Sequence, residues 1–417
     1  MQFQAPRGTS DVLPEDEAYW SFVRSTAEEV ATRFGYHRID TPVFEDSGLF
    51  ERGVGSTTDI VEKETYTFED RGGDMLTLRA EGTAPVCRAY LQHGMQNMTQ
   101  PVRLFYICPV FRYERPQSGR YRQHTQFGIE VIGEPDASVD AEVIEVGWRF
   151  LEQVGLSDLS LTINSIGDPE CRPAYIERLR TYYSGHRDSL CEDCERRIDR
   201  NALRLLDCKN DQCQPFVDEA PASADHLCSD CDTHWGDLRR YLEATGLDYQ
   251  VDHRLVRGLD YYTRTVFEIA PPEEGRMVTI VGGGRYDGLI EQLGGRSTPG
   301  IGYGMGLERV IQNVKSQNVQ VDGSERTRVM VVHLGDAAKT AGVRIASDLR
   351  SAGIAATLAP PRGLRAQLRY ASNSGATHAL IIGDDELANG VAALRDLSNS
   401  TQEDVPLATI VDTLSHG

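Results

Sequence analysis

The chain has 417 residues, of which 40% are hydrophobic and 25% are charged, and its net charge is −20. This composition predicts a folded protein of two or three domains and excludes a disordered chain. No apolar run approaches the ~18 residues of a membrane span, and residues 1–17 lack the layout of a signal peptide. We therefore expect a cytoplasmic protein that does not contact a membrane, and the acidic balance argues against non-specific nucleic-acid binding.

The first third of the chain predicts one helix followed by paired strands. Residues 15–34 carry apolar residues at helical spacing. Residues 65–70 and 74–80 flank two glycines as a hairpin, and residues 102–114 and 126–133 form a second pair. Strands that follow one another as hairpins predict an antiparallel sheet rather than a doubly wound parallel one.

The remainder of the chain divides into three regions. Residues 171–240 are charged, predicted to be helical and hold seven of the nine cysteines, which indicates an insertion. A glycine-rich strand then leads into a helix at 300–317, and residues 318–327 form a polar linker. Beyond it, strands and helices alternate as in a small α/β domain. The predicted fold class is α+β, with an antiparallel-sheet domain over residues 1–320 and an α/β domain over residues 327–417.

Four polar side chains share one predicted sheet face. Because side chains alternate along a strand, Arg112 and Glu114 face one side of theirs, and Gln126 and Glu130 one side of the next. Polar groups on a packed face need partners or a ligand. An arginine suits phosphate oxygens, whereas carboxylates and an amide suit an ammonium or imidazole group. A solvated outer face is the alternative interpretation.

Glycines recur at every second position of one strand, at residues 300, 302, 304 and 306, and Arg309 follows in the next helix. A bare strand face admits a flat ligand or another backbone, and tight sheet–helix packing is the alternative. Neither this segment nor residues 282–284 matches a P-loop or a dinucleotide-binding motif.

The cysteines of the insertion favour a structural zinc site. Two C-x-x-C pairs supply four candidate ligands, which are Cys191, Cys194, Cys228 and Cys231. Because the gap between the pairs is long, other residues are possible substitutes, namely Cys208, Cys213 and His226. Free thiols in a packed helical domain remain the alternative, and disulfides are not expected in the cytosol.

Six segments together resemble a known enzyme family. YHRIDTPVFEDSGLF (36–50), FRYERPQSGRYRQHTQFGIE (111–130) and GIGYGMGLER (300–309) resemble motifs 1, 2 and 3 of the class II aminoacyl-tRNA synthetases. LRAEGTA (78–84), LVRGLDYYTRTVFE (255–268) and GGGRYDGL (282–289) resemble the histidyl-tRNA synthetases among them. The resemblance implies a class II catalytic domain and a C-terminal anticodon-binding domain.

The resemblance implies that histidine attacks the α-phosphate of Mg²⁺-bound ATP, which gives histidyl-adenylate and pyrophosphate. The histidyl group then passes to the 3′ end of histidine tRNA. By the family pattern, ATP would be bound by Arg112, Glu114, Arg120, His124 and Arg309. His124 stands where many relatives have a phenylalanine that stacks on adenine. The catalytic residues would be Arg112 and Arg257, of which Arg257 would contact both the α-phosphate and the histidine carboxylate.

The histidine substrate has its own set of implied contacts. Its ammonium group would meet Glu81, Thr83 and Gln126, and its imidazole Glu130, Tyr262 and Tyr286. Such a polar site rejects apolar analogues without editing, so we expect no editing domain. Arg257 and Tyr262 have opposite strand parity, so both reach the site only if residues 258 and 259 bend the backbone.

The implied partners are a second copy of the chain, as a homodimer, and tRNA. Two local basic patches, over residues 103–122 and 362–369, suit a partner held at chosen places, although solvated arginines are the alternative. Their candidate tRNA contacts are Arg115 and Gln117 at the acceptor end, and Arg362, Arg365 and Arg369 at the anticodon. Within the family the insertion lies against the acceptor arm.

Two other functions compete with this prediction. The regulatory subunit of ATP phosphoribosyltransferase shares the catalytic core, but it typically lacks the Arg-Gly-Leu-Asp-Tyr-Tyr element and the anticodon domain. A zinc-dependent nucleic-acid-binding module would explain only residues 191–231 and would leave motifs 2 and 3 without a purpose.

Overall fold

The structure is a computed structural model that describes residues 3–55, 58, 60–114, 121–272, 279–321 and 328–415. The chain divides into two compact units, Met1–Val321 and Asp322–Gly417. None of the helices in the described ranges is long and apolar enough to cross a membrane.

The first unit combines helices with one large and one small sheet. Its helices are α1 (Glu17–Arg33), α2 (Ser47–Phe50), α3 (Thr83–Gln92), α4 (Ala137–Gln153), α5 (Arg172–Ser184), α6 (Glu192–Arg200), α7 (Gln214–Asp218), α8 (Ser229–Thr245), α9 (Leu289–Gln292) and α10 (Leu307–Ser316). Its strands are β1 (His37–Arg38), β2 (Phe44–Asp46), β3 (Tyr66–Glu69), β4 (Met75–Leu78), β5 (Val102–Phe111), β6 (Gln123–Ile132), β7 (Ser160–Ser165), β8 (Gln250–Val251), β9 (Thr263–Ala270), β10 (Val281–Arg285) and β11 (Gly300–Gly306).

The large sheet has eight strands in the order β1-β5-β6-β11-β10-β9-β7-β8. Its six inner strands pair antiparallel, and only the edge strands β1 and β8 pair in parallel with their neighbours. The predicted antiparallel sheet is confirmed. The small sheet has the order β2-β4-β3, and its β3–β4 hairpin is the one predicted from the two glycines.

Two faces of the large sheet differ in character, because side chains alternate along each strand. On one face, Phe127 and Ile129 of β6 and Tyr303 of β11 pack against α1, α4 and α10 in a fully buried apolar core. Gln126 and Glu130 point to the opposite face, as the alternation predicts.

One prediction about this face was wrong. Strand β5 ends at Phe111, so Arg112 and Glu114 follow the strand instead of lying on it. One further bond continues the ladder, from the N–H of Arg112 to the carbonyl of Arg122 at 3.0 Å. The two side chains still reach the polar face, from the start of a loop.

Helices α5 to α8 occupy the segment between β7 and β8, where the sequence predicts an insertion. Their apolar side chains do not form a separate core. Tyr175, Leu179 and Tyr183 of α5 belong to the same buried cluster as Val256 and Tyr262. This part of the chain is thereby packed against the segment that precedes β9.

The second unit is a five-stranded sheet with its own core. Its helices are α11 (Asp336–Ser351), α12 (Leu364–Asn373), α13 (Asp384–Ala388) and α14 (Ile410–Ser415), and its strands are β12 (Arg328–His333), β13 (Ala355–Leu358), β14 (His378–Ile382), β15 (Val391–Asp396) and β16 (Gln402–Pro406). The strand order is β13-β12-β14-β15-β16, with β12 parallel to both neighbours and β15 antiparallel to both of its own. The mixed α/β character is as predicted.

Candidate active site

A cavity of about 240 Å³ opens on the polar face of the large sheet. Strands β6, β10 and β11, the starts of α3 and α10, and the segment before β9 all contribute to it. Nine of the residues predicted to bind histidine or ATP line it, namely Glu81, Thr83, Arg112, Glu114, His124, Gln126, Arg257, Tyr262 and Arg309. The structure therefore brings together residues that are up to 228 positions apart in the sequence.

One end of the cavity is acidic and rich in hydrogen-bond acceptors. The carboxylate of Glu81 accepts hydrogen bonds from the backbone N–H groups of Thr83 (2.6 Å) and Ala84 (2.8 Å), at the first turn of α3. Gln126 accepts one from the N–H of Gly82 at 3.0 Å. Burial raises the pKa of Glu81, although these bonds oppose the shift. Both side chains are thus held in fixed positions, and both face the cavity.

Glu130 and Tyr286 lie beneath this end and do not line the cavity. The carboxylate of Glu130 is fully buried and accepts hydrogen bonds from the hydroxyl groups of Thr83 (2.7 Å), Tyr286 (2.5 Å) and Tyr106 (3.3 Å). Burial raises the pKa of Glu130 to about 8. A carboxyl group with this pKa can donate or accept a proton at neutral pH, as recognition of an imidazole requires.

The glycines of β11 and β10 give these side chains their space. A Cβ atom at Gly302 would lie 2.7 Å from Cδ of Glu130, and one at Gly304 would lie 2.9 Å from Cδ of Gln126. On β10, a Cβ atom at Gly282 would lie 2.7 Å from an η nitrogen of Arg257. The alternating glycines therefore make room for the polar side chains that surround the cavity, and not only for sheet–helix packing.

Three arginines surround the other end of the cavity. Nε of Arg112 donates to the carbonyl of Ala80 at 2.8 Å, and an η nitrogen of Arg309 donates to the carbonyl of Thr279 at 2.6 Å. Arg257 is ion-paired with Glu268. Three guanidinium groups around one small cavity have the chemistry that suits phosphate oxygens.

His124 lies between two of these arginines. Burial lowers the pKa of His124, and the charges of Arg112 and Arg309 lower it further, to about 3. The imidazole is therefore neutral at physiological pH, which suits stacking against a neutral base and does not suit phosphate binding.

The segment before β9 bends as predicted. Strand β9 begins only at Thr263, and residues 256–262 are irregular. Arg257 and Tyr262 consequently both face the cavity in spite of their opposite parity in the sequence. The carbonyl of Tyr262 is held by an η nitrogen of Arg172 at 2.6 Å, so α5 fixes this end of the bend.

The sequence did not single out several residues that shape the site. Tyr261 lines the cavity and packs against Tyr262, with ring centroids 4.7 Å apart and the rings tilted by 55°. The hydroxyl of Tyr106 reaches both Gln126 and Glu130. Tyr261 stands next to a predicted residue, but nothing in the pattern of β5 distinguishes Tyr106 from a core aromatic.

A buried ion pair behind the site was also not predicted. Asp140 of α4 and Arg285 of β10 are both fully buried and hydrogen-bonded to each other, and Asp140 also accepts from Thr265 (2.6 Å) and contacts His234 (2.8 Å). Burial alone would raise the pKa of Asp140, but Arg285 and His234 outweigh it and hold the pKa at about 2. This network connects α4, α8, β9 and β10, and Tyr286 follows directly after Arg285.

The predicted zinc ligands do not come together. The insertion's thiols form two groups, a four-cysteine cluster (Cys191, Cys194, Cys208, Cys213) and an Asp168 cluster (Asp168, Cys171, Cys228, Cys231). The predicted set of four is therefore wrong, because the two C-x-x-C pairs fold toward different partners. Of the substitutes considered, Cys208 and Cys213 join the first group, and His226 joins neither.

The predicted tRNA contacts fall into two classes. Arg115, Gln117 and Arg120, the last of them also predicted for ATP, lie outside the described residues. Arg365 and Arg369 are exposed on α12, and Arg362 is exposed just before it. The opposite side of α12 is fixed by the buried Gln367. Its side-chain amide accepts a hydrogen bond from the backbone N–H of His333 and donates one to the carbonyl of the same residue.

Comparison with known proteins matches this geometry to one family. A family model described as histidyl-tRNA synthetase matches residues 8–180 and 187–310, and an anticodon-binding-domain model matches residues 328–416. A histidine–tRNA ligase from Dehalococcoides mccartyi is 56% identical over 98% of this chain and 98% of its own.

Solved structures give the same result. The crystal structure of apo S. aureus histidyl-tRNA synthetase has a TM-score of 0.84 and 35% identity, and the match covers 99% of this chain and all of that one. A Bacillus halodurans structure, described as an ATP phosphoribosyltransferase regulatory subunit/histidyl-tRNA synthetase, has a TM-score of 0.64 at 23% identity over 92% of this chain and 99% of its own, which shows a shared fold alone. On these matches over its full length, the chain belongs to the histidyl-tRNA synthetase family.

Proposed function

We propose that this chain is a histidine–tRNA ligase, which activates L-histidine with ATP and transfers it to the 3′ end of histidine tRNA. The observation that carries the proposal is the division of one cavity into an acidic end with buried hydroxyl groups and an end with three arginines. The first end suits an amino acid with a polar ring, and the second suits the phosphates of ATP.

Histidine would bind with its ammonium group at Glu81 and Gln126 and its ring toward Tyr262. Glu130, beneath the cavity, would meet a ring nitrogen together with Tyr286, after small shifts that bring them to the cavity surface. An aliphatic side chain or a phenyl ring would offer Glu130 and Tyr286 no ring nitrogen to bond. A site of this kind rejects such analogues by roughly 10⁴-fold or more.

In the reaction, a carboxylate oxygen of histidine attacks the α-phosphorus of ATP, and the bond from that phosphorus to the pyrophosphate oxygen breaks. No proton transfer is needed, so the chain acts by alignment and charge stabilisation. Arg257, one of the three arginines at the second end, would bind the carboxylate and an α-phosphate oxygen. Arg112 would hold the α-phosphate side of ATP and Arg309 the γ-phosphate, while His124 would stack on adenine and Glu114 would contact it.

Magnesium would enter with ATP. Carboxylate oxygens are preferred ligands of Mg²⁺, and Glu308 lines the cavity next to Arg309. One oxygen of Glu308 accepts from the N–H of Thr125 at 2.7 Å, and the other has no hydrogen-bond partner among the described residues. This carboxylate fits a magnesium ion, which would offset phosphate charge. A structural zinc ion in the insertion would take no part in this reaction.

We further propose that residues 327–417 bind the anticodon and residues 1–320 carry out catalysis, with the insertion at 171–240 beside the acceptor arm. Arg362, Arg365 and Arg369 present three cations on one exposed surface, which suits contacts with phosphates and unstacked bases. Arg115 and Gln117 would contact the acceptor end, and Arg120 the phosphates of ATP. Since ATP and tRNA are cytoplasmic, we place the protein there.

The proposed assembly is a homodimer formed through the small sheet. Phe44 of β2 and Phe68 of β3 are 51% and 43% exposed. Phe44 pairs across the strands with Leu78 of β4, and Phe68 pairs with Leu76, so the two phenylalanines lie on the same face of the sheet. An exposed aromatic surface of this kind is typical of a subunit interface. Phe44→Glu should shift the sedimentation coefficient to that of a monomer, whereas Val343→Glu, at an exposed valine of α11, should not.

The main test is ATP–pyrophosphate exchange. The wild-type protein should exchange only when histidine is present, and Arg257→Ala should lower the rate by roughly 10²–10³-fold because a cation at the reacting phosphate is lost. Arg254→Ala is the matched control, since Arg254 is paired with Asp252 and Asp218 and does not line the cavity. Histidine binding by a folded protein without any exchange would refute the ligase function and favour a regulatory one.

A further inference from the structure

The sulfur atoms of the four-cysteine cluster have the spacing of a mononuclear metal site. All four lie within 4.8 Å of one another, and Sγ of Cys191 is 3.9 Å from Sγ of Cys208. Zinc–sulfur bonds of about 2.3 Å in a tetrahedron place the sulfurs about 3.8 Å apart. A disulfide would need about 2.05 Å, and all nine cysteines are free.

The backbone around this cluster is arranged to stabilise thiolates. The N–H of Cys191 donates to Sγ of Cys213 at 3.2 Å, and the N–H of Asn210 donates to Sγ of Cys208 at 3.4 Å. Hydrogen bonds to an ionised acceptor are stronger than those to a neutral one. Three of the four cysteines are buried, so uncoordinated thiolates would be costly there.

The Asp168 cluster has a similar spacing. Oδ1 of Asp168 lies 3.6 Å from Sγ of Cys171 and 4.0 Å from Sγ of Cys228. Zinc bonds of about 2.3 Å to sulfur and 2.0 Å to oxygen place these atoms about 3.5 Å apart. The carboxylate is oriented by the N–H of Glu170 at 3.0 Å and by an η nitrogen of Arg264 at 3.3 Å, as outer partners orient metal ligands elsewhere.

We infer that the insertion binds two zinc ions, one at each cluster. The first site has four thiolates, and the second has three thiolates and the carboxylate of Asp168. Thiolate-rich tetrahedral sets select zinc over magnesium or calcium. Each thiol releases its proton to solvent as its bond to zinc forms, with no change of oxidation state.

The Asp168 site would also position the candidate active site. Asp168 and Cys171 belong to the turn that begins α5, and Arg172 follows at once. Its guanidinium donates to the carbonyls of Ile166 (3.1 Å), Gly167 (2.8 Å) and Tyr262 (2.6 Å). A metal ion that fixes this turn therefore fixes the end of the bend that presents Tyr262 to the cavity.

Metal analysis of the full chain, purified under reducing conditions without chelators, tests the two sites. We expect two zinc ions per chain in the wild type, and one in each of Cys194→Ser and Cys231→Ser. Cys108→Ala, at a buried cysteine outside both clusters, should retain two. If the wild-type protein holds no zinc ion or only one per chain, or holds iron in place of zinc, the inference is overturned whatever the variants show.

Asp168→Asn tests the second site with minimal damage, because an amide oxygen can still accept from the N–H of Glu170. This variant should lose one zinc ion to a weak chelator that leaves both in the wild type, and the KM for histidine in pyrophosphate exchange should rise at least tenfold. Retention of both ions, or loss of one with an unchanged KM, would contradict the inference. The KM rests on the proposed function, whereas the metal count does not, so the two can fail separately.

Discussion

Replacing Gly304 with alanine tests whether the bare face of β11 exists for Gln126. The added methyl would lie 2.9 Å from Cδ of Gln126, whereas carbon atoms prefer about 3.5–4.0 Å. The amide must therefore retreat by about 0.6 Å or more, away from its 3.0 Å bond to the N–H of Gly82.

The expected loss follows from these contacts. A hydrogen bond to a charged group contributes about 1.5–3 kcal/mol, so losing the contact with the substrate ammonium should raise the KM for histidine by roughly 10- to 150-fold. The crowding itself should cost about 1–3 kcal/mol of unfolding free energy. The KM for ATP should change little, because the arginines lie at the other end of the cavity.

Gly306→Ala is the matched control on the same strand face. A methyl there would meet only Cδ2 of His124, at 3.7 Å, and the backbone angles φ −85° and ψ 118° suit alanine. Steady-state pyrophosphate exchange at varied histidine and at varied ATP, with thermal unfolding, gives the comparison. An unchanged KM for histidine in Gly304→Ala, or equal damage in both variants, would refute the steric argument.

Three further predictions concern charge. Burial raises the pKa of Glu130 from 4.5 to about 8. Its bound proton therefore stabilises the fold fully below about pH 4.5, and this stability is lost as the pH rises to about 8. In urea unfolding at several pH values, the free energy of unfolding should fall more steeply with pH in the wild type than in Glu130→Gln. Asp140→Asn leaves the buried charge of Arg285 without its buried carboxylate partner. It should lower the free energy of unfolding in urea by about 3–5 kcal/mol, whereas Asp237→Asn, at an exposed pair, should lower it by less than about 1 kcal/mol. Replacing Arg365 and Arg369 together with alanine should raise the KM for tRNA in aminoacylation, and an equal loss of pyrophosphate exchange would argue against anticodon binding.

Local patterns predicted the parts of the site that depend on strand geometry. Alternation along β6 placed Gln126 and Glu130 on one face. The glycine spacing of β11 indicated a bare strand face, and the structure shows that this strand pairs with β6. The same rule failed at Arg112, because no local signal showed that β5 ends one residue earlier.

The parts that depend on the path of the whole chain were not predictable in this way. Asp140 and Arg285 are 145 positions apart, and each resembles a surface residue in its own segment. The cysteines show the same limit, since spacing alone pairs Cys191 with Cys194 but does not show which distant residues complete each group.

The large sheet also bears on how copies of the protein can meet. Both of its edges are formed by two-residue strands, β1 and β8, which pair in parallel with their neighbours. Such short edges offer few unpaired N–H and C=O groups, so they are poor templates for adding a strand from another molecule. The eight-stranded sheet therefore offers little backbone for strand addition, and contacts between copies of the protein would have to use side-chain surfaces such as that of the small sheet.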